Sequence, residues 1–324
     1  MKVVVIGLGS MGKRRIRLMK QHGMVDEIYG IDSRSDRRSE VEANYDIRTF
    51  SGLSEALAFD SEICGALVCT APLSHAMIIR QCLENDLHVF TEINLINDGY
   101  QENLALAAAK GKTLFLSSSF LYREEIRHIT EKVHRHDQPL RYIYHIGQYL
   151  PDWHPWENYT DFFVGDKRTN GCREIFAIEL PWLLHAFGTV TNVSTTHSKA
   201  GALALNYDDN YMVQLTHENG TVGMLCVDVL SPKAVRNLEI FGEKFYLSWN
   251  GTPTGLSSFN GSETVAITFD DAFEHQKGYQ ATIVENMYAN ELRSFFEVVN
   301  GTSKPLYGFE KDAVVLDLID RIEE

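Results

Sequence analysis

Short apolar runs alternate with helix-like stretches over the first 120 residues of the chain. The runs KVVVIG, EIYGID, ICGALVCT, LHVFTE and TLFLSS have the continuous apolar character of strands that are buried on both faces. Between them, LSHAMIIRQCLEND and DGYQENLALAAAKG have the periodicity of helices with one apolar face. Strands and helices in this alternation predict an α/β domain at residues 1–120, built on a doubly wound parallel sheet.

The pattern of apolar and polar positions changes after residue 120. A helix-like segment, YREEIRHITEKVHRH, precedes runs in which apolar and polar residues alternate, which is typical of strands with one solvent-facing side. These runs are RYIYHIGQY, NYMVQLTHENGTVGMLCVDV, NLEIFGEKFYLSW and ETVAITF. Asn219-Gly220 and the FGEKFY segment each predict a hairpin. We therefore predict that residues 121–324 form an α+β domain with a mainly antiparallel, open-faced sheet and helices on one side.

Three further helices are predicted in this second domain, at about 174–187, 279–300 and 309–323. The last of them is a candidate to pack back on the first domain.

Composition and charge exclude several classes of protein. A chain of 324 residues predicts two domains, and a formal net charge of −14 argues against nucleic-acid or anionic-membrane partners. No apolar run reaches the roughly 18 residues of a membrane span, and no basic region precedes a cleavable apolar segment. The five cysteines lack CxxC spacing, which is typical of reduced thiols, so we expect a cytoplasmic protein. No metal site is predicted, because His128, His134, His136 and Asp137 lie at a charged helix end.

The segment GLGSMG lies between the first strand and the first helix. In this position the first glycine permits a tight turn, the second lets the backbone approach a pyrophosphate, and the third allows helix and strand to pack closely. The helix N-terminus then offers free N–H groups to the phosphates. A Rossmann dinucleotide site is therefore predicted at this turn. Its expected phosphate contacts are Gly7, Gly9, Ser10, Met11 and Gly12.

Asp32 lies 20 residues beyond Gly12 and ends the second strand, where a carboxylate accepts hydrogen bonds from an adenosine ribose. Its charge favours NAD, because it would repel the 2′-phosphate of NADP. Arg34, Arg37 and Arg38 follow at once, and arginines are the side chains that a 2′-phosphate requires. NAD is the predicted cofactor, with NADP as the alternative and Arg34 as an additional candidate contact.

With these residues in place, the chain resembles the Gfo/Idh/MocA oxidoreductase family over nearly its whole length. The resemblance is carried by GLGSMG, CTAPLSHA, LHVFTEINL, the strand-rich second half and the closing segment YANELRSFFEVVNG. It implies oxidation or reduction of a hydroxyl or carbonyl group on sugars, inositols or related compounds, with NAD or NADP. It also implies that Thr70, Pro72 and His75 lie beside the dinucleotide and that Glu92 lies near the nicotinamide ribose.

The chain departs from the family pattern at three catalytic positions. Family members usually carry Glu-Lys-Pro after the strand, whereas this chain has Ile93 where the lysine would stand. Laid on the family's helix in the second domain, GCREIFAIELPWLLHAFG puts Ile178 and Pro181 at the usual histidine and aspartate positions. Acid–base chemistry in this chain therefore needs other side chains.

The same helix offers Glu179 beside the family's histidine position, with Arg173 and Glu174 one to two turns earlier. Glu174 and Glu179 cannot both point at one spot, because one-turn neighbours on a helix are three or four residues apart. We predict Glu179 and Arg173 as catalytic candidates.

The segment GQYLPDWHPWENY, residues 147–159, concentrates aromatic rings around Asp152 and His154. Such rings stack on sugar faces, while a carboxylate and an imidazole reach hydroxyl groups and move protons. Asp152 and His154 are therefore catalytic candidates as well. The alternative is that the tryptophans and prolines only hold this loop against the sheet.

Two functions are compatible with these features. The first is an NAD(P)-dependent oxidoreductase acting on a sugar, sugar nucleotide or related polyol with relocated acid–base residues. The alternative is a catalytically degenerate, dinucleotide-binding regulator or partner subunit, although a sensor has little use for such an aromatic loop. A binding module without a dinucleotide would require the glycine turn to be coincidental. A sheet covered on one side only also predicts a homodimer or homotetramer.

Overall fold

The computed structural model describes residues 1–155, 157–269 and 284–324, and the chain divides into two units. The first unit comprises Met1–Ser119 and Tyr288–Ala313, and the second comprises Phe120–Met287 and Val314–Glu324. The first unit thus includes a late segment of the chain that a single boundary near residue 120 would leave out. The assignment of dinucleotide binding to residues 1–120, and of substrate binding and oligomerisation to residues 121–324, stays a prediction.

A parallel sheet of six strands forms the centre of the first unit, in the order β3-β2-β1-β4-β5-β6 among the residues described. Its strands are β1 (Lys2–Ile6), β2 (Glu27–Ile31), β3 (Arg48–Phe50), β4 (Ile63–Val68), β5 (His88–Thr91) and β6 (Leu114–Leu116). The connecting helices are α1 (Ser10–Gln21), α2 (Ser35–Tyr45), α3 (Leu53–Phe59), α4 (His75–Glu84) and α5 (Tyr100–Lys110). This order reverses between β1 and β4, and ligands of such sheets bind beyond the carboxyl ends of the strands at that point. The predicted doubly wound sheet is confirmed.

The second unit contains a mixed sheet in the order β14-β13-β12-β11-β7-β10-β9-β8. Its helices and strands up to the last strand are α6 (Glu124–His134), β7 (Arg141–Gly147), α7 (Gly171–Phe187), β8 (Val190–Ser198), β9 (Asn210–His217), β10 (Val222–Asp228), β11 (Val235–Gly242), β12 (Phe245–Trp249), β13 (Leu256–Phe259) and β14 (Thr264–Ala266). The pairs are antiparallel apart from β7 with β10, so the mainly antiparallel sheet is confirmed. Gly220 adopts a φ of 82° in the predicted β9–β10 hairpin, where a side chain would be strained.

Helix α7 covers one face of this sheet. The ring of Tyr142 stacks on Phe187 with centroids 4.4 Å apart, and Tyr144 meets Trp182 edge to face at 5.6 Å. Side chains alternate between the two faces of a strand, so their sequence neighbours point the other way. Ile143 is accordingly 50% exposed. The open-faced sheet is confirmed.

Two helices, α8 (Glu285–Val299) and α9 (Phe309–Glu323), close the chain, and each crosses a boundary between the units. The predicted start of α8 at 279–283 lies outside the described residues, as does Trp156 of the aromatic loop. Asp312, near the start of α9, accepts hydrogen bonds from Tyr100 and Tyr307 within the first unit. Among the helices described, none is long and apolar enough to cross a bilayer.

Candidate functional site

The glycine turn after β1 has the geometry of a dinucleotide cradle. Gly7 has a φ of 94°, and a Cβ there would lie 2.6 Å from the carbonyl oxygen of Cys69. A Cβ on Gly12 would lie 1.9 Å from the carbonyl oxygen of Gly7, so any side chain would push helix and turn apart. At Gly9 the contact within 4 Å of a Cβ is the Arg37 Nη1 at 3.6 Å. Gly7 and Gly12 are thus needed for packing, whereas Gly9 keeps the backbone accessible.

The first turn of α1 is available for an anion. Helix α1 begins at Ser10 with Gly9 as its N-cap, and no side chain caps its N–H groups. Uncapped N–H groups at a helix N-terminus carry partial positive charge and bind phosphate. Met11 lies in the same turn, where its Sδ accepts a hydrogen bond from Arg14. The residues present therefore fit a bound pyrophosphate.

Asp32 lies at the end of β2 with its carboxylate held in place by backbone groups. Its Oδ2 accepts the N–H of Leu8 at 2.8 Å, and its Oδ1 accepts the N–H of Arg34 at 2.9 Å. A carboxylate can accept about four hydrogen bonds, so each oxygen retains capacity for a ribose hydroxyl. The orientation of Asp32 toward the turn fits the predicted ribose contact.

The three arginines after Asp32 have different environments. Arg34 pairs with Asp36 at the surface, with 2.5 Å between Nη2 and Oδ2. Arg38 donates to the carbonyl oxygen of Asp32 at 2.7 Å. Arg37 has its Nη1 3.8 Å from Asp32 Oδ2 and beside Gly9, so it is the arginine nearest to the glycine turn. The sequence-based choice of Arg34 as a cofactor contact stays a prediction, and the geometry adds Arg37.

The segment after β4 also lies at this turn. The Cγ2 of Thr70 would lie 2.9 Å from a Cβ on Gly7, which places Thr70 directly beside the cradle. Pro72 is buried at the start of the 3₁₀ turn Pro72–Ser74. His75 is buried too, with Nε2 2.9 Å from the carbonyl oxygen of Thr70 and Nδ1 2.7 Å from Asn94 Oδ1. Burial lowers the pKa of His75, whose ring lies between the Thr70 loop and the Asn94 segment.

Glu92, at the end of β5, forms a buried ion pair that was not predicted. Its carboxylate accepts both Nε and Nη2 of Arg15, at 2.7 and 3.1 Å. Arg15 also donates to Glu291 at 2.7 Å and is 0% exposed. Burial raises the pKa of Glu291 despite its ion pair. Arg15 of α1 thus joins Glu92, which follows β5, to Glu291 of α8. The predicted contact of Glu92 with the nicotinamide ribose stays a prediction.

Glu179 faces the sheet from α7 and is completely buried. Its Oε2 accepts the hydroxyl of Tyr144 and the Nε1 of Trp182, both at 2.7 Å. Its Oε1 accepts Nε and Nη2 of Arg236 at 2.9 and 2.8 Å. A carboxylate that receives four hydrogen bonds has little capacity left to take or give a proton. The geometry suits a structural ion pair.

Arg173, in the first turn of α7, is also paired within the second unit. Its Nη2 lies 2.7 Å from Asp320, and its Nη1 pairs with Glu323 near the end of α9. These ion pairs join the beginning of one helix to the end of the other.

Asp152 and His154 lie in the loop after β7, in and just after a 3₁₀ turn at Leu150–Asp152. Asp152 is exposed, whereas the ring of His154 stacks on Phe162 with centroids 4.7 Å apart. Burial lowers the pKa of His154. Asp152 and His154 thus lie in the same loop, and their predicted catalytic roles stay predictions.

Glu174 has the environment of an acid–base group, which the sequence did not distinguish from that of its neighbours. Its Oε2 is buried and makes no hydrogen bond to the described residues. Burial raises the pKa of Glu174 to about 8. At 100° per residue, Glu174 shares a stripe of α7 with Ile178 and Pro181, whereas Glu179 lies about 140° away. Glu174 therefore lies on the same face of α7 as Ile178 and Pro181.

Comparison with known proteins identifies the first unit. Residues 1–118 match the model of the Gfo/Idh/MocA family, described as an oxidoreductase family with an NAD-binding Rossmann fold. For residues 1–118 the family and the cofactor class predicted from the motifs are thereby confirmed. Among curated proteins, none matches this chain.

Solved structures share the fold over nearly the whole chain. UDP-N-acetylglucosamine 3-dehydrogenase GnnA from Acidithiobacillus ferrooxidans is 15% identical, with a TM-score of 0.77 over 99% of this chain and 96% of that chain. The WlbA dehydrogenase from Bordetella pertussis, in complex with NADH and UDP-GlcNAcA, is 16% identical, with a TM-score of 0.76 over 99% and 95%. Biliverdin reductase from Synechocystis sp. PCC 6803, in complex with biliverdin and NADP+, is 16% identical, with a TM-score of 0.74 over 99% and 97%.

Proposed function

We propose that the protein is an NAD-dependent oxidoreductase that acts on a hydroxyl or carbonyl group of a sugar nucleotide or related carbohydrate. The observation that carries this proposal is the cradle of Gly7, Gly9 and Gly12 with the oriented carboxylate of Asp32 at its side. The nicotinamide supplies the hydride chemistry, and the chain has to bind it, orient the substrate and move a proton.

A carbohydrate substrate is supported by the second unit and by two of the structural relatives. The loop after β7 exposes Tyr149 beside Asp152 and partly exposes Trp153, and such rings stack on sugar faces. GnnA is a dehydrogenase of a UDP-sugar, and WlbA was solved with another. Biliverdin reductase has the same fold with a different class of substrate, so the fold alone does not select the sugar.

For the proton we propose Glu174, with His154 and Asp152 of the loop as the groups that orient the substrate. A carboxyl group with a pKa of about 8 is close to the pKa that general acid–base catalysis at neutral pH requires. Glu179 and Arg173 then act as positioning residues, because their charged groups are fully used in holding α7 to the sheet and to α9.

The second candidate function is a dinucleotide-binding regulator without turnover. It is favoured by the replacement of the family's usual lysine by Ile93 and of its histidine and aspartate by Ile178 and Pro181. Both candidates require cofactor binding, and only the enzyme forms NADH from NAD+ with a substrate.

A panel of UDP-hexoses, UDP-hexosaminuronic acids and free polyols, each with NAD+, tests the proposal. Formation of NADH is followed by absorbance, and Glu174→Gln serves as the comparison variant. The proposal expects turnover with a member of the panel and its loss in Glu174→Gln. Cofactor binding without turnover across the panel would support the regulator instead.

We also propose that a second copy of the chain covers the open face of the second sheet. Ile143, Met212 and Met224 are about half exposed there on three neighbouring strands. Exposed apolar patches of this kind mark interaction surfaces, and closed homo-oligomers are the usual way to bury them. Sedimentation of the wild type against Met212→Glu tests this, since a charge on the buried face of a dimer shifts the protein to monomer. A monomeric wild type would contradict it.

A further inference from the structure

Three side chains of different chemistry meet on the open face of the second sheet, at the carboxyl ends of β7 and β10. Cys226 is the register partner of His145 in the parallel pair of strands, and Asp228 follows two residues later on the same face. The ligand atoms of His145, Cys226 and Asp228 all lie within 4.8 Å of one another. We propose that these residues form a binding site for a zinc ion, a site that goes beyond the proposed function and does not depend on it.

The donor set is the one that zinc prefers. Zinc in proteins binds thiolate sulfur, imidazole nitrogen and carboxylate oxygen, with bonds of about 2.0–2.3 Å. In a tetrahedral site the ligand atoms are then roughly 3.3–3.8 Å apart. The three ligand atoms here all lie within 4.8 Å of one another. A hard ion such as Mg²⁺ prefers oxygen ligands and binds thiolate sulfur poorly.

The carboxylate of Asp228 is held in place by its own surroundings. Its Oδ1 accepts the backbone N–H groups of Leu230 and Ser231, at 2.8 and 2.6 Å. Its Oδ2 lies 2.8 Å from His145 Nε2 and 3.0 Å from the hydroxyl of Ser231. Hydrogen bonds that orient a ligand side chain in this way are typical of metal-binding sites in proteins.

Gly147 is part of this arrangement. A Cβ at Gly147 would lie 2.3 Å from Asp228 Oδ2, although the backbone of Gly147 itself is not left-handed. The glycine therefore makes room for the carboxylate to lie across the end of β7, next to His145.

Binding displaces protons, which gives the site a pH dependence. In the free protein the imidazole of His145 donates from Nε2 to Asp228. Zinc needs the thiolate and a lone pair of the imidazole, so the affinity rises with pH. The charged and titratable groups that face the cluster on the neighbouring strands include Glu239, which is exposed on β11.

Titration of the reduced full-length protein with Zn²⁺ against a chromophoric chelator, and with Co²⁺ followed by absorbance, tests the site. We expect one ion per chain and a thiolate-to-cobalt charge-transfer band. Both are lost in Cys226→Ser and Asp228→Asn, and both are retained in Cys64→Ser, the matched control. Ser231→Ala and Gly147→Ala keep all three ligands and are expected to weaken binding by about 10–100-fold.

The circular dichroism and melting of each variant show whether it is folded. If a variant is unfolded, the absorbance spectrum of the wild type with Co²⁺ decides alone. Absence of the thiolate band in the wild type, or zinc binding of equal strength in Cys226→Ser, would overturn the proposal.

Discussion

Glu174 and Glu179 lie five residues apart on α7 and have opposite environments. Glu179 receives hydrogen bonds from Tyr144, Trp182 and Arg236, whereas the buried Oε2 of Glu174 makes none to the described residues. The difference follows from the helix, because five residues rotate a side chain by about 140° from one face to the other. Glu179 therefore belongs to the sheet-facing core, whereas Glu174 lies on the stripe of α7 that carries Ile178 and Pro181.

Glu174→Gln is expected to lower kcat by roughly 10²–10⁴-fold, which is the usual contribution of a general acid or base. In the oxidation direction the wild type should gain activity as pH rises through about 8, since Glu174 then loses its proton. The variant should lack that limb of the pH profile. Glu102→Gln, at an exposed position on α5, is the control. An unchanged pH profile in Glu174→Gln would exclude Glu174 as the proton carrier.

The same group affects stability without any substrate. The pKa of Glu174 is raised from 4.5 to about 8 on folding, so the folded state binds the proton more tightly than the unfolded state. Protonated Glu174 therefore adds to the free energy of unfolding below about pH 4.5, and this stabilisation is lost as pH rises to about 8. Urea unfolding from pH 5 to 8 should therefore show a steeper decline for the wild type than for Glu174→Gln. Parallel curves would mean that the carboxyl is not held protonated.

Glu179→Gln should destabilise the protein by about 3–5 kcal/mol, because it leaves the largely buried guanidinium of Arg236 without its counter-charge. Glu102→Gln, at an exposed position on α5, should cost less than about 1 kcal/mol. Urea unfolding curves of the two variants give the comparison directly. A loss below 1 kcal/mol for Glu179→Gln would show that the ion pair is not structural.

Asp312 provides a second pH-dependent contribution, in the first unit. Burial raises its pKa from 3.8 to about 6, although the hydroxyls of Tyr100 and Tyr307 act in the opposite direction. The stability that the protonated form contributes is present below about pH 4 and is lost as pH rises to about 6. The melting temperature of Asp312→Asn should therefore change less with pH over this range than that of the wild type. Equal slopes would place the pKa of Asp312 near its ordinary value.

The sequence predicted the first unit well, because its strands are buried on both faces and read as continuous apolar runs. The short edge strand β3 was missed, since three residues carry too little pattern. In the second unit the hairpin at Asn219-Gly220 was predicted from its turn residues. Strand β8 was missed, because VTNVSTTHS, at the edge of the sheet, contains few apolar residues.

The candidate site was predicted in part. The glycine turn and Asp32 lie close together in the sequence, so their spacing was sufficient to predict the cofactor-binding turn. The role of Glu179 was not predictable, because Tyr144 and Arg236 reach it from strands 35 and 57 residues away. The meeting of His145 with Asp228 depends on the parallel pairing of β7 with β10, within a sheet whose other pairs of described strands are antiparallel.

The most direct test of the account is a titration of the full-length protein with NADH and NADPH, followed by nicotinamide fluorescence. We predict that NADH binds more tightly than NADPH. Asp32→Asn should weaken NADH binding by about 10–100-fold, as expected for the loss of hydrogen bonds to a charged group worth roughly 1.5–3 kcal/mol. Asp36→Asn, on the surface of α2, should leave the affinity for NADH unchanged. If neither cofactor binds the wild type, or if Asp32→Asn binds NADH as well as the wild type does, the account is contradicted.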